Sequence, residues 1–109
     1  KEEKKYWFEH AERNAIYNAT LIGASLSNCV MYTQGIPCMD CARAVVQSGI
    51  IKVIVDKRWD KKNSKKWAEH AKRSLQLFDE ADVEVEYYRG KFCRINKFRD
   101  GKSNLLIPN

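Results

Sequence analysis

The sequence predicts an α/β fold with a mostly parallel sheet. Two short, largely apolar runs, Cys29–Thr33 and Ile50–Val55, and the alternating stretch Val83–Tyr88 read as strands, and a stretch with helical spacing precedes each of them. A helix between successive strands implies right-handed crossovers and parallel pairing, because a tight hairpin cannot join parallel neighbours. At 109 residues, with 44% hydrophobic and 31% charged content, the chain is expected to form a single globular domain, 1–109.

Each element has a local reason. Lys1–Glu9 is charged and then aromatic, with Tyr6, Trp7 and Phe8 expected to pack against the core. From His10 to about Ile22, Ala11, Ala15, Ile16, Ala19 and Ile22 recur at helical spacing, and Gly23 ends the run. Cys29–Thr33 is almost wholly apolar, as expected of a strand buried on both faces. Cys38–Ser48 is the second helix, with Gly49 placed for a C-cap. Ile50–Val55 is β-branched and the clearest strand. Asp56–Asn63 is expected to be a polar loop carrying Arg58 and Trp59. Ser64 can cap a third helix at about Lys65–Ala81, with Trp67, Ala71, Leu75 and Phe78 as its apolar stripe and His70 as an ordinary surface residue. In the last strand Val83, Val85 and Tyr87 alternate with Glu84, Glu86 and Tyr88, which predicts one wet face at a sheet edge. Arg89–Asn109 is basic, with a turn at Asp100-Gly101.

The formal net charge of +6 comes largely from Lys57–Lys66 and Arg89–Lys102. A basic balance suits an anionic ligand, a nucleotide phosphate or a nucleic-acid backbone. Charge runs are more often solvated faces than binding sites, so nucleic acid is not the expected partner. No apolar run approaches the ~20 residues of a membrane span. The charged start lacks the apolar core of a signal peptide. Of the four cysteines, Cys29 and Cys93 read as free thiols in a reducing cytoplasm.

The chemistry concentrates in His10-Ala11-Glu12 and Pro37-Cys38-Met39-Asp40-Cys41. One imidazole and two thiolates make three protein ligands for Zn²⁺ and leave a fourth tetrahedral position for water, whereas a structural zinc normally has four protein ligands. Zinc lowers the water pKa from ~15.7 to about 7, and Glu12 is then a carboxylate placed to carry protons. Residues two apart in a helix interior face nearly opposite sides, so His10 and Glu12 converge only if the helix begins near His10. Cys38 and Cys41, three apart, share a face of a first turn, with Pro37 suited to the position before it. Two helix N-termini would then favour thiolate and hydroxide at the metal. A lone C-x-x-C could be a redox pair, and the set could serve a structural zinc module. A structural site, however, has no use for Glu12. Ligands of parallel sheets sit beyond the carboxyl ends of the strands, which here are Gln34–Pro37, Asp56–Asp60 and Tyr88–Lys91. Arg58 and Trp59 are therefore the candidates for phosphate and base contact.

H-x-E followed by P-C-x-x-C is the pattern of the zinc nucleobase deaminases. With Arg13-Asn14-Ala15-Ile16, Ala42-Arg43-Ala44 and Gln47-Ser48-Gly49-Ile50, the chain resembles the cytidine and deoxycytidylate deaminase superfamily from about Glu9 to Val55. It is closest to the dCMP deaminases of phage or bacterial type. The resemblance implies a three-layer α/β/α fold and hydrolytic conversion of dCMP to dUMP and ammonia. It implies His10, Cys38 and Cys41 as zinc ligands, and Glu12 as the proton carrier between water, the pyrimidine N3 and the departing amine. The helix-length segment between the second and third strands favours the parallel branch. That branch also holds the alternative function, a polynucleotide cytidine or adenosine deaminase acting on tRNA or single-stranded DNA. Relatives implied by the resemblance are often multimers, and some respond to dCTP and dTTP. A cytoplasmic homo-oligomer (in the host cytoplasm for a viral chain) is therefore expected. The resemblance also implies an N-terminal helix and β-hairpin before the H-x-E helix, which these residues lack. A further β segment is accordingly expected to pair with Cys29–Thr33.

Overall fold

The computed structural model describes residues 7–90 and the short pieces 92–93, 97–99, 102–104 and 107–108, with side chains for residues 7–60 and 68–90. Helix α1 spans Ala11–Ile22, α2 Met39–Ser48 and α3 Lys57–Glu80. Strands β1 (Val30–Thr33), β2 (Lys52–Asp56) and β3 (Glu84–Tyr88) form one sheet in the order β1-β2-β3. Both pairings are parallel, with Met31 beside Val53 beside Val85 and Tyr32 beside Ile54 beside Glu86. The α/β class with a parallel sheet is thus the one the alternation predicts. Two short antiparallel pairs follow, β4 (Phe92–Cys93) with β7 (Ile107–Pro108) and β5 (Lys97–Arg99) with β6 (Lys102–Asn104). The expected turn at Asp100-Gly101 and the thiol of Cys93 lie outside the described residues.

The helix ends obey local chemistry. Gly23 is left-handed at φ 77° and closes α1 with two back-directed bonds, from its own N–H to Thr20 and from the Ala24 N–H to Ala19. Gly49, at φ 88°, closes α2 with a single bond from its N–H to the Val46 carbonyl. The third helix starts eight residues earlier than expected. Asp56 caps it, its carboxylate accepting from the Arg58 N–H at 3.0 Å, and Asp56–Asn63 is not a loop. Polar residues without Gly or Pro do not break a helix, and a good cap at the strand end starts one. Ser64 accordingly lies inside α3.

The main core cluster lies on one face of the sheet, and Ile54 of β2 is buried on the other. Val53 and Val55 of β2 join Ile16 of α1, Ala42 and Val45 of α2 and Phe78 of α3, with Met31, Val85 and Tyr87 packed against them. Helix α2 packs on both α1 and α3, and α3 packs on β2 and β3. Right-handed crossovers place α2 and α3 on this same face. The other face carries Tyr32, 71% exposed, and Val30, 42% exposed, beside the ion pair of Lys52 with Glu86 at 3.0 Å. Strand β1 is therefore not buried on both sides as its composition suggested, because it borders the described sheet and, among the described residues, helices pack on only one of its faces. Trp7 and Phe8, 81% and 67% exposed, likewise do not pack into the core, and Tyr6 lies outside the described residues. Phe78 is fully buried. Phe78→Ala is expected to cost about 3–5 kcal/mol of stability, read from the denaturant midpoint. A loss below ~1 kcal/mol would remove Phe78 from the centre of the core.

Candidate metal centre and adjoining cavity

His10 and Cys38 both sit at helix N-caps. His10 has extended backbone (φ −64°, ψ 144°), and its carbonyl accepts the first α1 bond from the Asn14 N–H at 2.8 Å. This is the helix start that His10 and Glu12 require if they are to face one point. Cys38 is also extended (φ −66°, ψ 171°), follows the buried Pro37, and accepts at Sγ from the Cys41 N–H at 3.5 Å. The Nδ1 of His10 lies 3.5 Å from Cys38 Sγ and 3.4 Å from Cys41 Sγ, and all three ligand atoms fall within 4.8 Å of one another. A tetrahedral zinc with ligand bonds of ~2.0 Å to nitrogen and ~2.3 Å to sulfur has an N···S edge of about 3.5 Å. The three residues therefore fit Zn²⁺ in donor type and in spacing.

Charge around the centre is arranged for a cation. Burial, reinforced by the adjacent Cys38 sulfur, pushes the Cys41 thiol up to about 12 in the metal-free chain. A bound divalent ion reverses that preference and takes the sulfur as thiolate. An ionic chain braces the two ligand helices. The Glu9 carboxylate accepts from the His10 N–H at 3.1 Å and pairs with Arg13 Nε at 2.7 Å. Arg13 Nη1 lies 3.8 Å from Asp40, which also pairs with Arg43. The residue before one ligand is thus linked through Arg13 to the residue between the other two.

A cavity of about 590 Å³ opens beside this centre, within the size range of small-molecule sites. His10, the half-buried Glu12 and Cys38 line it, together with Gly35 and Ile36 of the loop after β1. Trp59 and Asp60 of the first α3 turn, His70 farther along α3 and Tyr87 of β3 also line it. Lys57 Nζ rests 4.5 Å from the centroid of the Tyr87 ring. Of the two residues expected to contact substrate, Trp59 reaches the cavity. Arg58 is not among the lining residues, and its guanidinium donates to the Gly90 carbonyl at 3.5 Å. His70, expected to be an ordinary surface residue, is exposed but borders the same space. Helical spacing alone could not find it, because the cavity is formed by segments distant in sequence. Gly35 was legible only as part of a loop at a strand's carboxyl end.

A parallel α/β domain in which two helix starts bring a His-Cys-Cys set together beside a half-buried carboxylate defines a zinc deaminase type of α/β protein. The chain belongs to the cytidine and deoxycytidylate deaminase zinc-binding family, whose sequence profile matches residues 1–57. It is 46% identical over 52 residues to the deoxycytidylate deaminase of Enterobacteria phage T2, covering 48% of this chain and 28% of that one. It is 45% identical over 62 residues to a probable deoxycytidylate deaminase of Drosophila melanogaster, covering 55% and 30%. With the deoxycytidylate deaminase of Mus musculus it shares 34% identity over 88 residues, covering 79% and 44%. The chain thus spans half or less of the length of these relatives. Among the described residues no helix is long and apolar enough to cross a membrane.

Proposed function

We propose that this chain carries the catalytic centre of a deoxycytidylate deaminase, converting dCMP and water to dUMP and ammonia. The observation that carries the reading is Glu12, half-buried and lining one cavity with a ligand set spaced for zinc. Zinc, when bound by His10, Cys38 and Cys41, supplies the Lewis acidity that makes water a nucleophile near neutral pH. Glu12 takes the proton from that water, delivers it to N3 of the pyrimidine, and then helps protonate the departing amine. The relatives' names support a mononucleotide substrate over the tRNA or single-stranded DNA of a polynucleotide deaminase, and a cavity of about 590 Å³ is large enough for a nucleotide. A panel of dCMP, cytidine and a cytosine-containing oligonucleotide tests this. Deamination of the oligonucleotide alone would overturn the reading.

Trp59 forms part of the substrate wall in this proposal, and Arg58 serves the mouth of the site from a greater distance. Trp59→Ala is expected to raise the KM for dCMP about tenfold, and Arg58→Ala by less, since only the indole lines the cavity. An unchanged KM in both variants would remove the first turn of α3 from the substrate site. The proposal extends to a cytoplasmic homo-oligomer that responds to dCTP and dTTP, and to a domain completed by a helix and β-hairpin. In that domain a β segment pairs with β1, from the same protein or a partner copy. The border position of β1, with Val30 and Tyr32 exposed and no lysine or proline to guard it, supports such a neighbour.

A further inference from the structure

The loop that delivers Cys38 to the metal is pressed against the start of α3 at one point. Gly35 is half-buried there, and the Trp59 indole occupies the space a side chain would need. A Cβ built on Gly35 would lie 2.9 Å from Cε3 of Trp59 and closer still to Cζ3. Real Cβ atoms do not approach that closely, so either the ring or the loop would have to move. The backbone of Gly35 is not left-handed, unlike that of Gly23 and Gly49. Space, and not conformational freedom, therefore excludes a side chain. The loop is held from the other direction as well, because Thr33 Oγ1 at the end of β1 donates to the Gly35 carbonyl at 2.8 Å. Two residues on, Pro37 is buried and Cys38 begins the ligand pair. Trp59 is anchored in turn by the first turn of α3, which Asp56 caps.

We propose that Gly35 is a positioning residue for substrate: its missing side chain lets Trp59 lie against the metal-bearing loop and so sets the wall of the cavity that Glu12 and Cys38 also line. This rests on the deoxycytidylate deaminase reading. The wall that the contact sets positions the nucleotide, and a misplacement of about 1 Å relative to the reacting groups can cost up to ~100-fold in rate. The ligand it governs is a pyrimidine nucleoside monophosphate, whose ring and sugar offer flat and apolar surface to an indole.

The test is a double-mutant cycle on the zinc-loaded Glu12→Gln protein, with dCMP binding read by calorimetry and metal content measured in each variant. Gly35→Ala is expected to weaken dCMP binding about tenfold. In a Trp59→Ala background the same change is expected to add less than about twofold, because the ring it collides with is gone. An equal penalty in both backgrounds, or none in either, overturns the proposal. Loss of zinc by Gly35→Ala that Trp59→Ala restores supports it, and loss of zinc in both overturns it. If the Glu12→Gln parent binds no dCMP, the deaminase reading fails by itself. The contact is then judged by the indole N–H resonance of Trp59, which Gly35→Ala must shift. An unshifted resonance overturns it.

Discussion

Cys38→Ser is expected to leave the purified protein with almost no zinc after dialysis, where the parent keeps a stoichiometric amount. Serine is nearly the size of cysteine, so the N-cap geometry and the bond from the Cys41 N–H can survive. What disappears is a sulfur that ionises and coordinates, 3.5 Å from His10 Nδ1. Two protein ligands then remain for an ion that takes three in a catalytic site. Losing a mere outer-shell partner costs about 10–100-fold in metal affinity, so losing a ligand is expected to exceed that range. The same variant should melt at a temperature that added zinc no longer raises, since a ligand stabilises only the state that binds it. The parent should also bind zinc more weakly as pH falls. Its Cys41 thiol, pushed up to about 12 without metal, must give up a proton on binding, and acid favours the protonated form. Full zinc retention by Cys38→Ser, with an unchanged response to pH, would remove Cys38 from the ligand set.

Glu12→Gln is expected to keep zinc, fold and dCMP affinity while losing about 10²–10⁴-fold in kcat, the range typical of a missing general acid–base group. The substitution preserves size and one hydrogen-bonding oxygen but cannot accept and return a proton. Glu12 belongs to the first turn of α1 and is not a member of the ligand set, so its loss should leave the metal in place. Ammonia release under single-turnover conditions, alongside metal analysis, separates the two effects. Near-parental turnover would mean that another group carries the protons, and His70, which borders the same cavity, would be the next residue to replace.

The metal centre was legible because its geometry is almost wholly local. Once His10 and Cys38 stand at helix starts, spacings of two and three residues place Glu12 and Cys41 with little help from the rest of the chain. The same holds for the capping glycines Gly23 and Gly49 and for the β-branched run that became β2. The beginning of α3 was misread for the opposite reason. Lys57–Asn63 is polar enough for a loop, and only the capping bond of Asp56 to the Arg58 N–H shows that the helix starts directly at the strand. The apolar character of Trp7, Phe8, Val30 and Tyr32 suggested burial, but burial depends on what lies opposite, and among the described residues nothing covers them fully.

The α/β class, the parallel pairing of the strands, the three residues that gather at the candidate metal centre and the carboxylate beside them can all be read from the chain alone. Each follows from periodicity or from spacings shorter than one helical turn. The three-dimensional packing, by contrast, shows on which face the described helices pack and that Trp59, and not Arg58, reaches the cavity. It alone brought His70 to that space and left Gly35 without room for a side chain. Those features arise where α1, the loop after β1 and α3 meet, at separations of more than twenty residues, and no local pattern encodes the distance between segments that fold together.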